Sequence, residues 1–167
     1  MRRPPGGSYV SILRSTATFV DSSVLLNVIF ETELTERATR LLSLAKYPVV
    51  SETVIDECVY VTLRRKASKR GVRSIYDLKK FLKTEEGRAL IRESNEEVLS
   101  FIASYDMEIV KDPDIFLALS LAEKYGLLFH DAKILGSMVE NGIKRLVTLD
   151  RDFDGIPIIE VLTDEEK

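Results

Sequence analysis

The sequence predicts an α/β protein, a three-layer α/β/α sandwich around a central, mostly parallel sheet of four to five strands. Two observations lead there. Short apolar and β-branched runs recur at 16–20, 48–50, 107–110, 146–149 and 156–161, as expected for strands of a sheet buried on both faces. Stretches of helical period separate them, and strand–helix alternation is the pattern of a parallel sheet covered by helices. The 167 residues contain no repeat, long linker or low-complexity block, so one domain over 16–167 is the simplest organisation.

Each element has its own signal. Residues 1–15 are rich in Pro, Gly and Ser, carry Arg2, Arg3 and Arg14 but no acid, and read as a leader or edge segment. The run 16–20 is a strand, after which Ser22 is the expected cap of a helix to about Phe30. Leucines at 34, 41, 42 and 44 mark an amphipathic helix over 33–46. A short strand at 48–50 leads to Ser51, the expected cap of a helix to about Lys66. Beyond Gly71 a helical hairpin is expected at about 74–105, as 74–83 and 84–105. Within it Ser94-Asn95-Glu96-Glu97 matches a capping box and argues for a fresh helix start at Ser94. After the strand 107–110, Asp112-Pro113 places an Asp at a cap and a Pro at the first helical position. That helix closes near Gly126, and another runs over 131–141 to Gly142. Pro157 makes the last strand, 156–161, an edge strand.

Composition narrows the function. Hydrophobic residues make up 45% and charged residues 31%, the balance of a water-soluble globular protein. No apolar run approaches the roughly 20 residues of a membrane helix, and the start of the chain has no signal-peptide pattern. A single cysteine, Cys58, excludes an internal disulfide and fits a reducing, cytoplasmic setting. It reads as a small core residue. The net charge of −3 argues against gripping nucleic acid by bulk charge. A local basic stretch, Arg64 to Arg73, nevertheless holds six cations and no acid. It reads either as a phosphate-contacting rim or as a solvated helix end complementing the helix dipole. Tyr76 and Phe81 nearby read as core residues first and base-stacking residues second.

Four acids carry the chemistry. Asp21 follows Thr18-Phe19-Val20, and Asp150 follows Leu146-Val147-Thr148-Leu149. Both stand at the carboxyl ends of strands, the edge where open α/β sheets bind ligands. Glu57 lies in a helix among Thr53, Val54, Tyr60 and Val61, a more apolar set of neighbours than Asp56 has, so Glu57 is the acid drawn toward the sheet. Asp131 opens a helical segment. Singly, each also reads as an ordinary turn, cap or surface residue. Gathered, they repel: a like-charge pair ~4 Å apart costs ~4 kcal/mol at an effective dielectric of 20. Such a group calls for cations, and hard divalent ions prefer oxygen ligands. The run Asp150-Arg151-Asp152-Phe153-Asp154-Gly155 begins like an EF-hand loop, but its twelfth position is Val161 and a strand precedes it. Asp152 is left as a turn residue or an auxiliary ligand.

These segments carry a resemblance. Thr148-Leu149-Asp150-Arg151-Asp152-Phe153 resembles the closing motif of PIN-domain ribonucleases, and Val20-Asp21-Ser22-Ser23-Val24-Leu25-Leu26 their opening motif. Tyr125-Gly126-Leu127-Leu128-Phe129-His130-Asp131-Ala132 is similar to their third acidic segment, and Glu57 falls where their helical glutamate would. The long insert at 64–105 and the N-terminal leader depart from the small toxin-type members. The resemblance implies a PIN-like fold and a ribonuclease dependent on Mg²⁺ or Mn²⁺. It implies Asp21, Glu57, Asp131 and Asp150 as metal ligands, with Thr148 as the hydroxyl that steadies the site. It further implies RNA as substrate, and either an antitoxin protein as partner or a stand-alone RNA-processing role. A homodimer is expected as well. No histidine is required as base, and His130 reads as structural. Two rivals stand beside this reading. One is a non-catalytic RNA- or protein-binding module on the same fold. The other is a phosphotransfer domain using an Asp as covalent nucleophile.

Overall fold

The computed structural model describes residues 16–164. Among them are five strands and seven helices: β1 (Thr18–Val20), α1 (Ser22–Ile29), α2 (Thr35–Leu44), β2 (Pro48–Ser51), α3 (Glu52–Lys69), α4 (Ile75–Phe81), α5 (Glu85–Ser104), β3 (Glu108–Val110), α6 (Ile115–Tyr125), α7 (Phe129–Glu140), β4 (Arg145–Val147) and β5 (Glu160–Val161). The leader at 1–15 lies outside the described residues.

All five strands are parallel, in the order β3-β2-β1-β4-β5. Chain order runs outward from β1 to β3, then returns past β1 to β4 and β5. Right-handed crossovers place the helices of the outward and return arms on opposite faces. The order therefore reverses between β1 and β4, and the crevice beyond the carboxyl ends of these two strands is the ligand position of such sheets. Phe19, Val20, Val49, Val50, Leu146 and Val147 are fully or almost fully buried, each contributing about 1.5–3 kcal/mol of transfer free energy. Cys58 belongs to the same core. A second cluster joins Leu63 and Ala67 of α3, Leu78 and Leu90, so the hairpin of α4 and α5 has its own packing.

Several local expectations are corrected. The cap of α1 is Asp21, not Ser22: the Asp21 carboxylate accepts from Ser23 N. Ser94 starts no helix; α5 runs through it because its buried hydroxyl donates to Leu90 O at 2.8 Å, satisfying it within the helix. The cap of α6 is Asp114, which accepts from Phe116 N and Leu117 N; the Asp112 carboxylate is drawn away by Thr53 and Lys133. Asp131 lies in the first turn of α7, whose cap is Leu128, where the helix dipole favours an acid. The last strand is only Glu160–Val161, because Pro157 has no donor and residues 151–155 form a bend and turns. It is an edge strand, as Pro157 requires. Ser51 caps α3 and Gly126 closes α6 in the left-handed region at φ 69°, both as the sequence indicates. Among the described residues, no helix is long and apolar enough to cross a membrane.

Candidate active site

The reversal point of the sheet holds Asp21. Its backbone N donates to Val147 O at 3.1 Å, which fixes the exit of β1 against the exit of β4. The carboxylate is almost fully buried and surrounded by hydroxyls. Thr148 Oγ1 donates to Asp21 Oδ2 at 2.8 Å and Ser23 Oγ donates to the same oxygen at 2.5 Å. Burial pushes the Asp21 carboxyl above its ordinary range, and the Ser23 and Thr148 hydrogen bonds offset part of that effect. Thr148 also accepts from Asp150 N at 2.9 Å, and Ser23 Oγ accepts from Leu149 N at 3.0 Å. One small network of hydroxyls thus ties the start of α1 to the 148–150 turn.

Glu57 joins from α3. It is half-buried while Asp56 is exposed, as the helical neighbours indicate. Ser22 Oγ donates to Glu57 Oε2 at 2.6 Å, so adjacent serines serve the two acids. His130 Nε2 stands 2.6 Å from the same Glu57 oxygen. The Nε2 N–H is not well aligned on this oxygen, yet the short contact is the largest influence on both groups. The His130 contact, opposed by burial and aided by Ser22, holds Glu57 below its ordinary range. Glu57 in turn raises His130 above its ordinary value, against the effect of burial.

Asp131 and Asp150 complete the acidic set through the field they share. Burial raises the Asp131 carboxyl; His130 lowers it, while Asp150, Asp21 and Asp152 raise it further. Asp150 Oδ1 accepts from Asp152 N at 3.0 Å, which makes 150–152 a compact turn, and buried Phe153 anchors that turn in the core. Among the described residues, no Lys or Arg forms an ion pair with Asp21, Asp131 or Asp150. Nor, among them, does any group of three or more His, Cys, Asp or Glu side chains form a ready-made metal cage. The donor chemistry still fits a hard divalent cation: several carboxylate oxygens, two of the acids buried, and, among the described residues, no Lys or Arg paired with Asp21, Asp131 or Asp150.

Sequence reasoning named the four acids and Thr148; the structure places Thr148 on Asp21 and sets Asp131 in the field of Asp150 and Asp21. The same reasoning missed Ser22 and Ser23 as hydroxyl donors to Asp21 and Glu57, and His130 as the partner of Glu57. The Ser-Ser pair after a strand-end Asp was the available signal, but a cap explains it equally well. The basic stretch is largely absorbed by structure. Lys66 pairs with Glu93 and Glu97, and Arg70 with Glu86 and Glu93. Arg65 stacks over Phe30 at 4.3 Å, and Arg64 Nη2 donates to Arg73 O at 3.1 Å. Phe81 packs in the second core cluster, whereas Tyr76 is exposed.

Comparison with known proteins identifies the family and the fold. The family model described as PIN domain matches residues 18–159. Ribonuclease VapC6 of Methanocaldococcus jannaschii is 28% identical over 150 residues, covering 86% of this chain and 95% of the relative. A toxin-antitoxin complex from Klebsiella pneumoniae superposes with a TM-score of 0.54 at 18% identity, covering 90% of this chain and all of that one (100%). VapBC2 from Rickettsia felis, solved bound to a DNA fragment from their promoter, superposes with a TM-score of 0.54 at 15% identity, covering 87% and 97%. At such identities the two structures speak to the fold, and the family match spans β1 to β4 and all four acids. The chain belongs to the PIN domain family.

Proposed function

We propose that this PIN domain is a divalent-metal-dependent endoribonuclease, the toxin of a toxin–antitoxin pair, acting in the cytoplasm. The observation that carries the reading is the buried Asp21 carboxylate at the sheet's reversal point. It is held by Thr148 at 2.8 Å, and its charge raises the carboxyl of Asp131. Buried acids with no cationic partner are unfavourable until a cation arrives. Asp21, Asp131 and Asp150, with Glu57 from α3, would hold Mg²⁺ or Mn²⁺. Such an ion, when bound, neutralises charge at a phosphodiester and lowers the pKa of water. The chain's own contribution is orientation. Thr148 and Ser23 hold the Asp21 oxygens in one rotamer, Ser22 and His130 hold Glu57, and the Asp150–Asp152 turn fixes Asp150. The relative's printed name, a ribonuclease, supports RNA as the substrate class. The toxin-antitoxin neighbours support a small inhibitory partner. Ile115, Phe116 and Leu119 of α6, exposed along the helix, favour a second copy of the chain as a further partner.

The test is incubation of purified protein with single-stranded and structured RNAs, with Mn²⁺, with Mg²⁺ and with chelator. Cleavage is expected with either metal and absent with chelator. Combined Asp21→Asn and Asp150→Asn is expected to abolish it while the protein stays folded; undiminished cleavage by that variant would rule the mechanism out. A second reading, a non-catalytic RNA- or protein-binding module, is favoured by one feature: Glu57 is already paired with His130. RNA retention without cleavage under every metal condition would support that alternative.

A further inference from the structure

The loop between β3 and α6 does more than connect them. Four successive residues of it lie along α7. Lys111 O accepts from Ser137 Oγ at 3.4 Å. Asp112 pairs with Lys133 Nζ at 2.5 Å. Pro113 sits so close to Gly136 that a Cβ there would stand 2.7 Å from the ring Cγ. Asp114 N donates to Glu140 Oε1 at 2.9 Å. Positions 133, 136, 137 and 140 recur at three and four residues, so they form one face of α7. On its other side the loop grips the first turn of α3. Asp112 accepts from Thr53 N and from Thr53 Oγ1, both at 2.8 Å, and Asp112 N donates to Glu52 Oε2 at 3.4 Å.

Both helices carry site acids. Glu57 follows Thr53 by one turn of α3, and Asp131 precedes Lys133 by two residues on α7. Glu57 and Asp131 both act on His130, and Asp21 feels Glu57 while Asp131 feels Asp21, so the spacing of the two helices sets the charge around these shared neighbours. We propose that loop 111–114 is a strut that sets the separation of α3 and α7, and with it Glu57 relative to Asp131. Asp112 is the positioning residue at its centre. Among the described residues, the Asp112 carboxylate contacts neither acid and acts through Thr53 and Lys133. Burial works against its charge, but Lys133 and Thr53 outweigh burial and keep the carboxyl below its ordinary range. Gly136 completes the strut, because any side chain there would displace Pro113. The consequence for metal uptake rests on the ribonuclease reading above; the mechanical role does not.

The test measures both. Spin labels placed by Asp56→Cys on α3 and Val139→Cys on α7, both exposed sites, report the distance between the helices; Cys58 is fully buried and stays unlabelled. Asp112→Asn, Lys133→Met and Gly136→Ala are expected to shift or broaden the distance distribution, and Lys133→Arg to keep the parent's. In unlabelled protein, Asp112→Asn is expected to weaken Mn²⁺ binding about 10–100-fold, the range found when partners that orient metal ligands are removed, with Lys133→Arg near wild type. A distribution for Asp112→Asn that superimposes on the parent's overturns the strut, whatever the Mn²⁺ affinity does. Should the wild-type protein take up no Mn²⁺, the metal-dependent reading fails, and the distance comparison still decides the strut.

Discussion

Asp21 concentrates the physics of the site in one residue. Its carboxyl stands above the ordinary range chiefly because burial opposes its charge, and Asp131 is raised for the same first reason. For an acid whose folded pKa lies above its unfolded one, the stabilising contribution is present below the unfolded value and lost as pH rises through the folded value. In chelator, the contribution of these two acids to stability is therefore expected to shrink as pH climbs above about 3.8. Asp21→Asn removes the charge but keeps the size. Its thermal midpoint at pH 7 in chelator is expected to exceed the wild type's, each 1 kcal/mol appearing as about 2–4 °C in a chain of this length. A lowered midpoint would show that the charged form is well accommodated without a cation. The Glu57–His130 contact has the opposite profile. Glu57 is lowered from 4.5 and His130 raised from 6.5, so their mutual stabilisation is lost as pH falls through the Glu57 value or rises through the His130 value. His130→Gln is expected to flatten the decline in midpoint above pH 6.5; the effect is small because both side chains are over a third exposed. At this scale the acids were legible because a strand-end Asp and a helix-face Glu have simple sequence signatures. Ser22 and His130 were not, since their partner, Glu57, lies 35 and 73 residues away in sequence and no local pattern encodes it.

Among the elements, α3 carries the heaviest load. It begins at a serine cap, presents Glu57 in its second turn, and ends in cations that pack against α5. Lys66 and Arg70 are tied to Glu86, Glu93 and Glu97; among the described residues Lys69 has no such partner, and Arg64 and Arg65 make no ion pair. Replacing Arg64, Arg65 and Lys69 with Ala is accordingly expected to flatten the salt dependence of RNA binding by about 0.7 per lost phosphate contact on a single strand. Replacing Lys66 and Arg70 is expected to leave the slope alone and loosen the α3–α5 pairing. Equal slopes in the first variant and wild type would remove this stretch from the RNA path. The elements themselves were readable where one residue decides the outcome, as Ser51 and Gly126 do. They were misread where two neighbours compete for one role. Asp112 and Asp114 both suit a cap, and a contact across the fold, from Thr53 and Lys133, settles which one serves. Ser94 has the sequence of a start, but its burial within a continuous helix outranks the local signal.

At the scale of the whole molecule, topology places the chemistry. The order β3-β2-β1-β4-β5 puts the reversal point between the strands that end before Asp21 and Thr148, so the site follows from the winding of the chain. Alternating short strands and helices made the parallel sheet legible; the strand order was not, because pairing between segments more than a hundred residues apart leaves no local trace. The exposed face of α6 belongs to this scale as well. Phe116 is 75% exposed, a large apolar surface for an isolated chain to leave in water. The homodimer proposed through this face is expected for the wild type and is expected to dissociate to monomers on Phe116→Glu, as read by light scattering after size exclusion; a monomeric wild type, or an unchanged dimer in the variant, would contradict that interface. The central claim, that the sheet's reversal point gathers acids for a divalent cation, is tested most directly by calorimetric titration of Mn²⁺ into the wild-type protein and into Asp21→Asn. Saturable binding in the wild type and its loss in the variant are predicted. A wild-type titration without saturable heat, or a variant that binds as the wild type does, would contradict the claim.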